Sequence, residues 1–150
     1  MAKEKISRND EITRDYLAFL DTHIADLIAG RETEMLHINE IARLMFISPG
    51  HLTNTLKLVT SHHPCYYFDL KIIEEANKLL LDTKLSASEI ARRLSFDPSN
   101  FVKFYKSLTG ITPTAFRKAK TLPVQMPIYQ KAYTHPNRNQ NSENLTTIGV

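Results

Sequence analysis

The chain carries INEIARLMFISPGHLTNTLKLVT at residues 38–60 and ASEIARRLSFDPSNFVKFYKSLT at residues 87–109, and this pair of stretches decides its fold. The tetrapeptide Glu-Ile-Ala-Arg recurs in them at an offset of 49 residues, and the gap-free match extends as far as Tyr67 and Phe116. A match of this length without a gap indicates that one supersecondary unit occurs twice.

Each copy begins with a short amphipathic helix. Apolar residues share one face of that helix in both copies, namely Ile41, Ala42 and Met45 in the first and Ile90, Ala91 and Leu94 in the second. In the second copy Ser86 and Glu89 have the spacing of a capping box, in which two free N–H groups of the first turn are bonded reciprocally. His37 occupies the matching position in the first copy and is a weaker N-cap.

A second helix follows in each copy, predicted at residues 49–60 and 98–109. Ser48-Pro49 and Asp97-Pro98 each place an N-cap side chain before a proline at the first helical position, where the missing N–H costs nothing. We expect these helices to bury Leu52, Leu56 and Val59 in the first copy and Phe101, Tyr105 and Leu108 in the second. Two short helices with a tight connection, the second bearing a polar face, are typical of a helix-turn-helix unit.

The polar face of each second helix carries the candidate DNA contacts. They are Gly50, Thr53, Asn54 and Lys57 in the first copy and Ser99, Asn100, Val102, Lys103 and Lys106 in the second. Small residues allow close approach to a groove, an Asn can bond adenine through two hydrogen bonds, and a Lys can reach guanine or phosphate. A polar surface that serves solubility alone is the other interpretation, and the occurrence of such a face at the same place in both copies favours DNA.

The basic residues are concentrated in the C-terminal part of the chain. From Pro98 onward there are seven Lys or Arg and one acidic residue, whereas the preceding residues hold twelve basic and fifteen acidic side chains. The C-terminal part includes Arg117, Lys118 and Lys120, which we expect to be exposed. Such asymmetry points to a polyanionic partner for the C-terminal half.

The remaining sequence predicts an all-α fold. We expect two helix-turn-helix subdomains joined by a long linker helix, with an N-terminal amphipathic helix that Gly30 ends and a mobile C-terminal tail. The predicted segments are a polar N-terminus (1–9), the N-terminal helix with the first unit (10–62), the linker helix (63–82), the second unit (83–120) and the tail (121–150).

The second copy with its flanks, LLLDTKLSASEIARRLSFDPSNFVKFYKSLTGITPTAFRK, resembles the DNA-binding domain of the AraC/XylS family of bacterial regulators. The resemblance covers residues 36 to 119, and its most specific feature is the TG-x-TP-x-x-F-R ending. It implies two recognition helices in successive major-groove segments, one helical turn or roughly 34 Å apart. By position, the family's base-reading residues correspond to Gly50, Thr53 and Asn54 in unit one and to Ser99, Val102 and Lys103 in unit two, with Lys57 and Lys106 as phosphate contacts or helix-end charges.

The sequence departs from the pattern of that family at several positions. The family usually has glycine in each turn, where Phe46 and Ser95 stand here, and arginine is common where Asn54 stands. Unit one therefore has fewer cations and is expected to bind weakly or to select a different base. No part of the sequence resembles the family's ligand-sensing domain, which leaves two alternatives: a stand-alone regulator, or the excised C-terminal domain of a longer one.

Other kinds of site are not indicated. His62, His63 and Cys65 lie close together but match no zinc spacing, and no nucleophile-base set, phosphate loop or carboxylate pair is apparent, so we expect no metal, no cofactor and no enzymatic activity. A single cysteine, a polar N-terminus and short apolar runs predict a cytoplasmic protein without membrane contact.

Two functional hypotheses remain open from the sequence. The first is a sequence-specific regulator that binds double-stranded DNA as a monomer or weak dimer, with RNA polymerase as a conjectured partner of the N-terminal helix. The second is a protein-interaction module that titrates another regulator without binding specific DNA. The few cations of unit one and the acidic N-terminal helix favour the second hypothesis somewhat.

Overall fold

The structure, a computed structural model, describes residues 6–121 and forms seven helices there, with no strand in that range. They are α1 (Arg8–Ala29), α2 (Ile38–Leu44), α3 (Pro49–Thr60), α4 (Pro64–Asp82), α5 (Ala87–Arg93), α6 (Pro98–Thr109) and α7 (Pro113–Ala119). The predicted all-α class is confirmed. The expected tail, apart from Thr121, and the first five residues of the polar N-terminus lie outside the described residues.

The helix boundaries follow from local capping chemistry. α1 begins two residues before the predicted Asp10, because Ser7 Oγ accepts the amide of Asp10 at 3.1 Å and so caps an earlier turn. α1 ends at Gly30, which has a φ of 81° and donates its amide to the carbonyl of Leu27 at 3.1 Å. The recognition helices α3 and α6 have the predicted bounds.

The two helix-turn-helix units have the same backbone plan. The first helix of each unit has seven residues and the second has twelve, and every boundary is repeated at the offset of 49. The capping box of α5 is formed, with Glu89 N to Ser86 Oγ at 3.1 Å and Ser86 N to Glu89 Oε1 at 3.3 Å. Unit one retains the returning half, since the amide of His37 donates to Glu40 Oε1 at 2.9 Å.

Both connecting turns require a left-handed residue. Phe46 has a φ of 61° and Ser95 a φ of 65°, at the two positions where the resemblance leads one to expect glycine. A side chain there places Cβ close to the following carbonyl oxygen, which costs roughly 1–2 kcal/mol for most residues. The Phe46 ring is 95% exposed and recovers none of this cost by burial.

One hydrophobic core runs through both units. α4 packs against α1 and α3 on the side of unit one and against α5 and α7 on the side of unit two. It contributes the buried side chains Phe68, Ile72, Ile73, Ala76 and Leu80 to that core. The start of α4 is bonded to α1 through Tyr16 Oη and the carbonyl of Pro64 at 2.8 Å, and its middle is bonded to α6 through Tyr105 Oη and Asn77 Oδ1.

The predicted burial of Val59 is wrong. Val59 is 40% exposed, whereas its counterpart Leu108 is 3% exposed, and Thr55 is buried on α3 instead. The helix that follows α3 differs in the same direction, since Tyr67 is half-buried and its counterpart Phe116 is buried. The other five side chains expected in the recognition-helix cores are buried.

The expectation that Arg117 is exposed is also wrong. Its guanidinium donates to the carbonyls of Leu80 at 2.9 Å, Thr83 at 3.3 Å and Leu85 at 2.5 Å. These groups lie at the end of α4 and in the segment that leads to α5, where backbone carbonyls lack helical partners. Arg117 therefore ties α7 to the linker, whereas Lys118 and Lys120 are exposed as expected.

Replacing Phe46 with glycine should stabilise the protein. Glycine adopts a positive φ without the Cβ clash, and the exposed ring contributes little, so we expect Phe46→Gly to raise the free energy of unfolding by about 1 kcal/mol. Urea unfolding measures the change. The matched control is Gly110→Ala at φ 86°, where a new Cβ meets nothing within 4 Å. We expect that control to lose at least about 1 kcal/mol through backbone strain alone, and a loss in Phe46→Gly would contradict the interpretation.

Removing the Arg117 side chain should destabilise the protein. Arg117→Ala leaves three carbonyls without their charged donor, and we expect a loss of about 2 kcal/mol in the free energy of unfolding. The neighbouring exposed Lys118→Ala is the control, with a change within about 0.5 kcal/mol. Equal effects of the two substitutions in urea unfolding would show that Arg117 does not hold α7 in place.

Candidate nucleic-acid interface

The polar face of α3 is turned toward solvent because the opposite face of the helix is buried. Leu52 and Leu56 are fully buried, which turns the opposite side of the helix outward. Gly50, Asn54 and Lys57 are exposed on that side, and Thr53 is half-buried at its edge. The structure thus brings the four predicted residues of unit one together on one accessible face.

The same arrangement occurs on α6. Phe101 and Tyr105 are fully buried, and burial raises the pKa of the Tyr105 hydroxyl. The accessible side carries all five predicted residues of unit two: Ser99, Lys103 and Lys106 are exposed, and Asn100 and Val102 are half-buried. α6 is the more basic of the two helices, with two lysines on this side where α3 has one.

The N-cap of α6 is a carboxylate, Asp97. Asp97 Oδ2 accepts the Ser99 hydroxyl at 2.6 Å and the amide of Asn100 at 3.3 Å. These hydrogen bonds, that from Ser99 foremost, lower the pKa of Asp97, so the group stays ionised at neutral pH. Ser99 therefore meets a ligand chiefly as a hydrogen-bond acceptor, because its proton is directed to Asp97.

Unit two also has two exposed arginines outside α6. Arg92 and Arg93 lie exposed in the last turn of α5, whereas unit one has Arg43 and the apolar Leu44 at the matching positions. The repeat shows this difference already in the sequence, because Arg93 is charged and its counterpart Leu44 is not. Together with Lys103 and Lys106 they make the surface of unit two more basic than that of unit one.

The residues weighed as metal ligands have other roles. The His62 ring stacks on Tyr66 with centroids 4.0 Å apart, and His63 Nδ1 accepts the amide of Cys65 at 3.0 Å as the N-cap of α4. Within residues 6–121 no cluster of three or more His, Cys, Asp or Glu side chains is placed to hold a metal ion. Over the same residues, no helix combines the length and apolar character that a membrane span requires.

Comparisons with known proteins bear on this interface. A family model described as a helix-turn-helix domain matches residues 41–119, more than half of the chain. An uncharacterized HTH-type transcriptional regulator of Bacillus subtilis, YtdP, is 30% identical over 102 residues. That match covers 67% of this chain but only 13% of the larger protein.

Two solved structures share the fold. The C-terminal domain of AraT, a response regulator from Geobacillus stearothermophilus, has a TM-score of 0.65 at 23% identity and covers 86% of this chain and 98% of that one. The DNA-binding domain of AdpA, a global transcriptional factor solved in complex with a target DNA, has a TM-score of 0.56 at 21% identity and covers 69% and 90%. The family match and the two repeated units show that this chain belongs to the AraC-type helix-turn-helix family of DNA-binding transcriptional regulators.

Proposed function

We propose that this chain recognises a bipartite site in double-stranded DNA by placing α3 and α6 in successive major-groove segments. The observation that carries the proposal is the matched pair of twelve-residue helices, each with its predicted polar residues on an accessible face and both packed on one core. A helix of this kind fits the major groove with its N-terminal residues near base edges. Two such helices in one chain read two segments without dimerisation, so we propose a monomer or weak dimer. We also propose that the protein acts in the cytoplasm.

The two helices contact different bases because their accessible side chains differ. Asn54 has the donor and acceptor that suit adenine, and Gly50 one turn earlier allows the backbone of α3 to approach the groove. On α6, Lys103 is placed to reach guanine, and the half-buried Val102 offers a methyl group to thymine. Lys57 and Lys106, near the ends of the two helices, contact phosphates and set the orientation of each unit.

The charge distribution supports a difference in affinity between the units. Lys103 and Lys106 give the accessible side of α6 two cations where α3 has one, and so give unit two the larger share of the electrostatic attraction to phosphates, which dominates DNA affinity. Unit one, with Arg43 and Lys57, contributes more to the selection of bases than to the electrostatic attraction to phosphates. A module that only titrates another regulator is not favoured, because such a role gives no reason for lysines on both accessible faces.

A second surface is available for RNA polymerase. α1 is not one of the two recognition helices, and it carries exposed acidic side chains at Asp10, Asp15 and Asp21. Lys71 of α4 pairs with Asp21, while Asp10 and Asp15 stay accessible. We propose that exposed acidic residues of α1 contact RNA polymerase in an activating complex.

Substitution of the reading residues should weaken binding to the selected site only. We expect Asn54→Ala and Lys103→Ala each to lose about 1–3 kcal/mol on a motif selected from a random DNA library, because each loses a base contact. Fluorescence anisotropy with the selected motif and with random DNA measures the difference. If a variant lost the same amount on both DNAs, the residue would be a phosphate contact and not a reader.

Substitution of the helix-end lysines should act on all sequences alike. The logarithm of the binding constant falls linearly with the logarithm of salt concentration as neutralised phosphates release counterions. We expect Lys57→Ala and Lys106→Ala each to reduce that slope by about 1 on any DNA. Lys78→Ala on α4, which pairs with Glu75, is the control with an unchanged slope.

The selection experiment also tests the proposed function as a whole. Two enriched segments with centres one helical turn apart, roughly 34 Å, are expected from the two recognition helices. One enriched segment would assign reading to a single unit. Absence of any enriched motif, together with a salt slope near zero, would return the titration module as the better account.

A further inference from the structure

The segment that connects α1 to α2 is anchored by a buried histidine of α1. His23 is 5% exposed, and its Nε2 accepts the backbone amide of Leu36 at 3.0 Å. Leu36 directly precedes His37, the N-cap residue of α2, whose own amide donates to Glu40. The hydrogen bond to His23 therefore fixes the point on α1 at which the chain enters unit one.

This hydrogen bond requires one protonation state of the imidazole. A neutral imidazole has one nitrogen that donates and one that accepts, so acceptance at Nε2 places the proton of His23 on Nδ1. The imidazolium donates from both nitrogens and accepts at neither. Protonation of His23 would therefore set one N–H group against another, that of Leu36, and the contact would be lost.

The surroundings of His23 favour the neutral ring. The ring of Phe19 on α1 and that of Phe68 on α4 have their centroids 6.3 Å and 6.2 Å from the imidazole centroid. Three carboxylates act on the ring electrostatically, one each from α1, the connecting segment and α2: Asp26, Glu32 and Glu40. Burial of the ring lowers the pKa of His23 below its ordinary value of 6.5, and the three carboxylates offset only part of that effect.

The stability that this contact provides therefore depends on pH. Because the pKa of His23 is lower in the folded chain than in the unfolded chain, the unfolded chain binds the proton first as the pH falls. The contribution is complete above the ordinary histidine pKa of about 6.5. It is lost as the pH falls from there through the lower pKa of the folded chain.

The matching segment of unit two is held by groups that do not titrate near neutral pH. At the offset of 49, Leu36 corresponds to Leu85, whose amide donates to Thr83 Oγ1 at 3.2 Å and whose carbonyl accepts the guanidinium of Arg117. A hydroxyl keeps its proton and a guanidinium keeps its charge throughout the range in which histidine titrates. A fall in pH thus acts on the entry of unit one and spares that of unit two.

We propose that His23 is a pH-sensitive switch: the neutral ring holds unit one in its DNA-reading position, and protonation releases the segment that leads into it. α2 packs against α3, so a change in the position of α2 reaches the recognition helix of unit one. At neutral pH the chain reads both segments of its site, and in acid the reading by α3 weakens while α6 continues to read. The consequence for DNA rests on the proposed function, whereas the release of the segment does not.

A pH titration followed by NMR tests the switch without DNA. We expect the His23 ring to titrate below about pH 6.5, and the amide resonance of Leu36 to shift with the same midpoint. The amide of Leu85 should show no step in that range. The titration of the unchanged protein decides the matter even if a substitution unfolds the chain.

Two variants separate His23 from its neighbours in the same titration. His23→Gln supplies an amide oxygen that accepts a hydrogen bond but does not titrate, so the step at Leu36 should disappear. His37→Asn is the matched control, because it removes the titrating side chain next to Leu36 and keeps a good N-cap residue. The step at Leu36 should persist in this control.

Selection of bound sequences at neutral pH and at a pH below the measured midpoint tests the consequence for DNA. In acid we expect the base preferences of the unit-one segment to fall by at least about 5-fold, the value of one base contact. The preferences of the unit-two segment should persist. His23→Gln should keep both sets of preferences at both pH values.

Three results would overturn the inference: a His23 ring that titrates at or above about pH 6.5, a Leu36 amide that does not follow the ring, or unit-one preferences that persist in acid. If the unchanged protein enriched no motif at neutral pH, the proposed function would fail. The NMR titration would then still decide whether His23 releases the segment.

Discussion

The burial of α4 between the two helix-turn-helix units is the interaction on which the rest of the structure depends. A unit such as α2 and α3 has nineteen helical residues, too few to bury a core of its own. α4 supplies apolar side chains to both units, and hydrogen bonds from Tyr16, Tyr105 and Arg117 tie it to α1, α6 and α7. Because both units share this core, the spacing and orientation of α3 and α6 are set by packing and not by a flexible connection.

The two copies of the repeat agree at the buried positions of the recognition helices and differ at the accessible positions. Positions that form the core keep their character in both copies, as in Leu52 and Phe101 or Leu56 and Tyr105. Positions on the accessible side diverge: Asn54 stands opposite Lys103, and Ser48 opposite Asp97. Such divergence on a common backbone is expected, since burial constrains one face of each helix and leaves the other face free to differ.

The two turns show that the fold can impose a backbone conformation that costs free energy. Phe46 and Ser95 adopt a left-handed conformation although neither is glycine. Helices on both sides of each turn are fixed by caps and core contacts, so the conformation of the single residue between them is determined from outside. Strain at one residue persists when the surrounding structure overdetermines it. This cost is small compared with the free energy gained when the two helices of a unit bury their apolar side chains at the angle that the turn sets.

Local chemistry in the sequence determined the helices and the accessible faces. Ser48-Pro49 and Asp97-Pro98 specify where α3 and α6 begin, Gly30 and Gly110 specify two helix ends, and the periodicity of apolar residues specifies which side of each recognition helix faces water. All these signals act over one or two helical turns, so they can be read from the chain alone. The nine candidate contacts were identified in this way, and their positions on the accessible faces agree with it.

The tertiary structure decided what depends on distant partners. Arg117 was expected to be exposed, but its three acceptors lie 32 to 37 residues earlier in the chain. Val59 fits the buried periodicity of α3, yet it is 40% exposed in the folded chain. Sequence periodicity reports which side of a helix is apolar, whereas packing between helices decides which of those residues is covered.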